Sequence, residues 1–521
     1  MIFITSGLST AWLAEDAFIV FRTVENFVSG NGLRWNVSER VQAYSCPLWV
    51  MLLAAFYWIT GELYFCSLGS ALLLSLVSLL LLVRAGGCSP GTVAAVAVLC
   101  CSKSYVEFST SGLENPLSHA LTGIFLSIYF TSRQSALSRL RLLTLTASLG
   151  ALNRLDLIVI FFPGVAKAVW DCGLRMQTLL NVVLFSAPVL AWEGFSLFYY
   201  GFLFPNPFYA KLAPYYDGAA QGQVQQGLRY LANSLLWDPV TLPAIAVSAA
   251  CLATWRASKA AWPVFGALLY LAYVVMIGGD FMSGRLLSVP LYTALFCLAA
   301  CCKKKERAAV AFCAASLAVI VASFAPRSPL GAGLNFGSAR FEGVSPDGIA
   351  DERAIFYPVT GLLPVVTKRL NELLWVFPVR GADEILPTDL SRAWIQNLVS
   401  GGLRDRAMLE RQVHTLHMIG IRPFLGGPNH HYIDPLGLSD PFLARLPPLT
   451  GARTGHRFRI IPSGYLESVT SGENRLKDRD LGEYYNRLRY IVSGGLFDRA
   501  RLIEIVKMNL GYYRHLLHRS N

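Results

Sequence analysis

Phe65-Cys-Ser-Leu-Gly-Ser-Ala-Leu-Leu-Leu-Ser-Leu-Val-Ser-Leu-Leu-Leu-Leu-Val83 contains no charged residue and stops at Arg84. A bilayer core of about 30 Å needs roughly 20 apolar residues in a helix. The stretch therefore reads as a membrane span. Eleven further apolar stretches accompany it, at 1–14, 47–61, 90–101, 116–132, 140–152, 155–170, 178–200, 240–254, 261–277, 286–301 and 308–325. Several are shorter than a standard span and are expected to be tilted, partly buried in protein, or re-entrant. The run from Met1 to Ala14 is one of the short ones.

Charge divides the chain in two. Only 15% of its 521 residues are charged, against about 25% in a typical soluble protein. Residues 1–325 hold 34 Asp, Glu, Lys and Arg; residues 326–521 hold 44. A lipid-adapted part, 1–325, thus precedes a water-adapted part, 326–521, whose short apolar runs mixed with Gly, Pro and charge read as mostly α-helical. The net charge of +12 does not point to nucleic acid, because much of it sits in short loops between apolar runs, where basic residues set orientation. Arg84, Arg133, Arg139, Arg141, Lys167, Arg175, Arg256, Lys259, Lys303, Lys304, Lys305 and Arg307 are expected on the cytoplasmic side. The tail and the loops 15–46, 102–115, 201–239 and 278–285 then lie outside. Parity makes 47–61 re-entrant or interfacial, leaving about eleven crossings. All 11 cysteines lie within 46–313. The tail therefore has no disulfide framework, and most of the cysteines read as small core residues.

The acids gather on the predicted outer side: Glu15, Asp16, Glu25, Glu39, Glu107, Glu114, Asp156, Asp217, Asp238 and Asp280, with Asp171 and Glu306 cytoplasmic. A carboxylate beside an apolar run faces either a wet cavity or a partner, so an outward cavity lined by Glu15, Asp16, Glu114, Asp156 and Asp280 is expected. Glu15-Asp16 fits a general base or a metal ligand; equally, Asp16 fits an N-cap for the helix that follows. Asp16–Val28 (DAFIVFRTVENFV) is amphipathic with Arg22 and Glu25 off its apolar face, and reads as an interfacial helix or one packed on the bundle. Asn153-Arg154-Leu155-Asp156 offers an internal ion pair or a binding pair. Gly278-Gly-Asp-Phe-Met-Ser-Gly-Arg285 offers a carboxylate and a guanidinium, the latter suited to a phosphate, or a solvated loop with its own ion pair. Tyr199–Lys211 is rich in aromatics that suit a membrane interface or a sugar ring, with Asn206 and Lys211 as polar partners. His414, His417, His430 and His431 lack the accompanying Cys or acids of a zinc site. Ser400–Ala407 and Ser493–Ala500 form a near-repeat, each fitting a helix that ends at the glycines and another with Asp in its first turn.

Taken in order, these motifs resemble the terminal arabinofuranosyltransferases of mycobacterial cell-wall synthesis. The resemblance is carried by Glu15-Asp16-Ala-Phe-Ile, Gly32-Leu-Arg-Trp-Asn36, Glu39-Arg-Val-Gln-Ala-Tyr44, Pro47-Leu-Trp49, Ser111-Gly-Leu-Glu-Asn-Pro-Leu117 and Asn153–Asp156. It continues in Asn206–Lys211, Gly278–Met282 with Gly284-Arg285, Asp434-Pro-Leu-Gly-Leu438, Asp440-Pro441 and Ala444-Arg-Leu-Pro447. A related Gram-negative branch modifies surface proteins such as pilins. The resemblance implies a GT-C fold: an α-helical polytopic domain over 1–325 with outer loop 15–46, and an extracytoplasmic cap over 326–521. It implies transfer of arabinofuranose from a polyprenyl-phosphate donor to a glycan or surface-protein acceptor, at the outer face of a bacterial inner membrane. It places the main catalytic role on Asp16. Glu15 stands where the family usually has Asp, and a divalent cation at this pair is left open. Arg40, Tyr44, Glu114, Arg154, Asp156, Asn206, Tyr209, Lys211, Asp280 and Arg285 are the expected donor- or acceptor-binding residues, with Arg285 and Lys211 or Arg154 on the phosphate. The family's Thr-Arg-Pro-Asp stands here as Asn153-Arg154-Leu155-Asp156. Alternatives are another polyprenyl-phosphate sugar such as mannose, or a lipid or solute transporter. The latter needs midplane binding groups and internal repeats that the first 325 residues do not display. A non-catalytic scaffold has no use for so many acids beside apolar runs.

Overall fold

The computed structural model describes residues 2–131, 134–212, 220–302, 308–331, 343–367, 412–449 and 455–517. The protein is mostly helical, and each of the twelve apolar stretches carries helix. Among the described residues, two helices are by themselves long and apolar enough to cross a membrane, Tyr64–Gly86 and Ser258–Met276. Two bent pairs, Met176–Phe185 with Ala187–Tyr199 and Gly222–Trp237 with Thr241–Thr254, raise that to four if each pair is one span. These counts stand where about eleven crossings were expected. The difference is one of helix length: Pro47–Thr60 and Pro90–Cys101, for example, are apolar but short.

The chain forms two compact units, and the division does not fall at residue 325. The first comprises Met1–Ala14, Tyr64–Val189 and Gln221–Pro378; the second comprises Glu15–Leu63, Leu190–Ala220 and Val379–Asn521. The outer loop 15–46 thus folds with the C-terminal region rather than with the bundle helices. A charge count along the sequence cannot detect this, because loop 15–46 and the tail are far apart in the chain.

In the first unit, Ser288–Cys301 is the central helix. It is buried from Ser288 to Ala299 and packs against Tyr64–Gly86, Pro90–Cys101, Asn115–Phe130, Thr241–Thr254 and Ala261–Met276. Close helix approach relies on small residues, as in lipid-embedded bundles. A Cβ on Gly266 would run into the Ile160 carbonyl, and one on Gly227 into the backbone of Val275.

In the second unit, helix Glu15–Val28 packs against Pro47–Thr60 and Ile421–Gly426. Residues Ala17 to Val24 are all buried, Arg22 included. The helix is therefore core-facing within its unit, and the interfacial alternative is set aside. Arg22 is not on a polar face: its Nε donates to the Trp35 carbonyl at 2.9 Å, and its Nη atoms donate to the carbonyls of Gly427 and His430 at 2.8 Å and to that of Pro423. Its guanidinium lies 5.0 Å from the Trp35 ring and 5.1 Å from Tyr432. Burial pulls it down to about 10, so it remains a cation at neutral pH.

Strands Val413–Thr415 and His431–Ile433 pair in parallel. Helix Arg479–Ser493 buries Leu481, Tyr484, Tyr485, Leu488, Ile491 and Val492, the helical spacing of one apolar face. Its C-cap is Gly494, and Asp498 caps the next helix by accepting from the Ala500 amide at 2.9 Å. The expected glycine stop is there, with Asp498 at the cap rather than in the first turn. The other copy, Ser400–Ala407, lies outside the described residues, as do Arg133, Asp217, Lys303–Lys305, Glu306 and Arg307.

A lysine cannot reproduce the planar fork that serves four carbonyls. Arg22→Lys is expected to destabilise the protein by about 3 kcal/mol, read as a lower thermal midpoint; an unchanged midpoint would show that these bonds carry no net stability.

Candidate functional site

Two groups of the expected residues emerge, one in each unit. In the first unit, Glu114 precedes helix Asn115–Phe130, Arg154 is the C-cap of Ala136–Asn153, and Asp156 the N-cap of Leu157–Cys172. Apolar sequences thus stop where charges begin, and those charges meet. Arg154 grips Asp156 with two bonds, Nε to Oδ1 at 3.1 Å and Nη2 to Oδ2 at 2.7 Å. Its Nη1 donates to Glu114 Oε1 at 3.1 Å, and Arg285 Nη2 donates to the same oxygen at 2.9 Å. Asp280 Oδ2 lies 3.7 Å from Arg285 Nη1. Tyr270 donates its hydroxyl to Asp156 Oδ2 at 2.7 Å.

The loop that delivers Asp280 and Arg285 is built by glycine. Gly278, Gly279 and Gly284 have φ of +84°, +72° and +77°, a region side chains resist. The loop is not the solvated one weighed above: Asp280 through Ser283 are buried. Arg154 and Asp156 pair with each other, but neither pairs only with the other. Two guanidiniums face three carboxylates. The side chains of Arg154 and Arg285 keep 11% and 13% exposure, and Glu114 only 4%. Such a set holds two cations in fixed orientation near a surface; it does not present an excess of positive charge.

Glu107 and Asp238, two further acids expected on the outer side, are structural. Glu107 is buried with Lys103 at 2.6 Å and Arg353 at 2.8 Å; Lys103 and Arg327 reach Asp351 at 3.3 and 2.7 Å. Asp238 accepts from the Ser104 amide and hydroxyl at 2.8 and 2.9 Å. The sequence reading did not flag Lys103, Asp351 or Arg353, since single charges at 103 and in the tail carry no spacing signal.

In the second unit, Glu15 and Asp16 form the first turn of helix Glu15–Val28. Asp16 is therefore inside the helix rather than its N-cap. Both acids are half-buried. Glu15 Oε1 accepts from the amides of Gly420 and Ile421, and a Cβ on Gly420 would overlap Glu15 itself. Burial, the neighbouring Asp16 carboxylate and, more weakly, Asp434 push Glu15 up to about 8. That shift favours the protonated carboxyl at neutral pH. Asp434 and Asp440 are buried and pushed up, mainly by that burial, to about 6 and about 7. Backbone amides hold both: Leu436 and Ser439 on Asp434, Phe442 and Leu443 on Asp440.

Of the remaining expected residues, Arg40 and Asn206 tie backbone carbonyls together. Arg40 Nε donates to the Tyr199 carbonyl at 3.1 Å, and its Nη2 to those of Ile491, at 3.3 Å, and Gly494. Tyr44 and Tyr200 share a hydroxyl bond at 2.8 Å. Asn206 donates to the carbonyls of Gly437 and Asp440 at 2.8 and 3.0 Å and accepts from Arg445 at 3.2 Å. Tyr209 lies 4.8 Å below the Arg445 guanidinium. Lys211 is exposed in the last turn of Asn206–Leu212. His414 and His430 bond to each other at 3.0 Å. Among the described residues, no group of three or more His, Cys, Asp or Glu is arranged to hold a metal ion.

The chain is similar to two proteins named terminal β-(1→2)-arabinofuranosyltransferase. It is 28% identical over 333 residues to that of Mycobacterium tuberculosis, covering 54% of this chain and 51% of the relative. It is 25% identical over 340 residues to that of Corynebacterium glutamicum, covering 56% and 48%. The chain thus spans about half the length of the curated relatives it matches. The resemblance to terminal arabinofuranosyltransferases carried by the ordered motifs is borne out by these two similarities. No family model and no solved structure matches the chain.

Two predictions test the two groups. Between the ordinary carboxyl value of 4.5 and about 8, the folded protein keeps a proton on Glu15 that the unfolded chain releases. Stability gained below that window is lost as pH rises through it. The thermal midpoint should fall from pH 5 to pH 8, and Glu15→Gln should flatten that fall; parallel curves would contradict the assignment. Glu114→Gln leaves two guanidiniums under-compensated and should cost about 3–5 kcal/mol; a loss under about 1 kcal/mol would show that solvent already screens them.

Proposed function

We propose that this protein transfers arabinofuranose from a polyprenyl-phosphate donor to an extracytoplasmic glycan or surface-protein acceptor, at the outer face of a bacterial inner membrane. The observation that carries the reading is the similarity to two terminal arabinofuranosyltransferases over 54% and 56% of the chain. The geometry supports a division of labour within Glu15-Asp16. Glu15 is a positioning residue: it is committed to the Gly420 and Ile421 amides and mostly neutral at pH 7. Asp16, next to it and half-buried, is the group proposed to act on substrate.

A carboxylate there has two uses. It can take the proton of the attacking acceptor hydroxyl, or stabilise positive charge developing on the sugar. The leaving group is a phosphate, so it needs little protonation and benefits instead from charge-assisted hydrogen bonds. Arg285 and Arg154, pre-oriented by Glu114, are the proposed partners of that phosphate.

Asp16→Asn should lower kcat by about 10²–10⁴-fold with the donor KM changed little, in a protein whose melting temperature is retained. Turnover near the parent's would remove Asp16 from the mechanism. Arg285→Lys should act mainly on the donor KM, because it loses bidentate geometry but keeps the charge; an unchanged KM would release Arg285 from the phosphate.

A further inference from the structure

The second unit contains a cavity of about 210 Å³ that the proposed reaction does not use. Its lining includes Glu39, His431, Phe442, Tyr465, Tyr485 and Arg489, and neither Glu15 nor Asp16. It has room for several water molecules. That is less than the ~300 Å³ at which drug-sized pockets begin, and it matches one small ring.

The walls are of two kinds. Phe442, Tyr465 and Tyr485 pack together with ring centroids 5.0, 5.3 and 5.5 Å apart, giving a rigid aromatic side. The Tyr465 hydroxyl is spent on Asp440 at 2.9 Å, so this residue offers ring rather than hydrogen bond. Opposite in character are Glu39 and His431, which lie 3.9 Å apart. Each is held by a neighbouring side chain. Asn36 donates to Glu39 Oε1 at 3.1 Å, and the Ser38 hydroxyl bonds His431 Nδ1 at 3.0 Å. Asn36 also exchanges bonds with the Tyr432 backbone at 3.0 and 3.1 Å, which ties the polar wall to strand His431–Ile433.

Charge narrows the ligand. Glu39 disfavours an anion, and Arg489 in the same lining disfavours a cation. A neutral polyol satisfies both: hydroxyls donate to the carboxylate and accept from the guanidinium, and the C–H face of the ring lies on aromatic carbon. We propose that this cavity is a binding site for a single neutral sugar residue of a glycan chain. The site is a docking point separate from Asp16, and its occupant is polymer-borne, since one small ring gives little affinity by itself. The choice of an arabinofuranoside as first probe rests on the proposed function; the preference for a neutral sugar rests on the cavity.

The test is calorimetric titration of the purified full chain in detergent with a synthetic arabinofuranosyl trisaccharide, a mannosyl trisaccharide and inorganic phosphate. At least one trisaccharide should bind, and phosphate should not compete. Glu39→Gln should weaken binding at least about tenfold. Because Glu39 also bonds Asn36, Val469→Phe serves as a second variant: it adds bulk to the lining and should abolish binding in a protein that still elutes as a single folded species. Retained binding in Asp16→Asn, with transfer lost, would separate the cavity from the reaction. Preference for the mannosyl probe would keep the cavity and count against arabinose. Parent-like affinity in both cavity variants, binding of neither trisaccharide, or competition by phosphate would overturn the proposal.

Discussion

Charge removed from water must find its partner nearby, and much of this structure follows from how that is done. In the first unit, Glu114, Arg154, Asp156 and Arg285 interlock at the ends of helices. Through them and Tyr270 the cluster ties together Asn115–Phe130, Ala136–Asn153, Leu157–Cys172, Ala261–Met276 and the loop before Ser288–Cys301. A second buried set, from Lys103 to Arg353, fastens the segment at 343–367. Breaking either set leaves an unpaired charge in a poor solvent for it.

The second unit meets the same constraint with a different device. Its described part has a short two-stranded sheet and much irregular backbone, so many carbonyls lack a ladder partner. Arginine supplies the donors. Arg22 serves Trp35, Pro423, Gly427 and His430; Arg501 serves Ile491, Phe198, Leu496 and Tyr199; Arg459 serves Leu436, Arg457 and Ala210. A planar, always-charged fork with five N–H groups suits this task better than any other side chain.

That difference explains what was legible in the sequence. Apolar runs announced the helices, because burying such runs needs no partner of particular chemistry; Leu157–Cys172, for example, matches the run at 155–170. Glu114, Asp156 and Asp280 were expected to line one cavity with Glu15 and Asp16, as charges abutting those runs, but Glu15 and Asp16 fold within the second unit. The roles of Arg22, Arg40 and Asn206 were not, since a polar side chain gives the same sequence signal whether it faces solvent or satisfies buried carbonyls. Nor was the joining of 15–63 with the C-terminal region, which depends on contacts such as Glu15 with Gly420 across some four hundred residues. For Glu15-Asp16, sequence placed two acids side by side, and only the fold separates them: one pinned and pushed toward neutrality, the other half-buried beside it.

The proposed function stands or falls on the donor: a lipid-linked arabinofuranose rather than another activated sugar. The most direct measurement presents the purified parent protein with labelled polyprenyl-phosphate arabinofuranose and, separately, polyprenyl-phosphate mannose, with oligoarabinofuranoside acceptor, and identifies products by mass spectrometry. A pentose is expected from the first donor and nothing from the second. Transfer of hexose alone would contradict the arabinose assignment, and no transfer from either lipid would contradict the donor class itself.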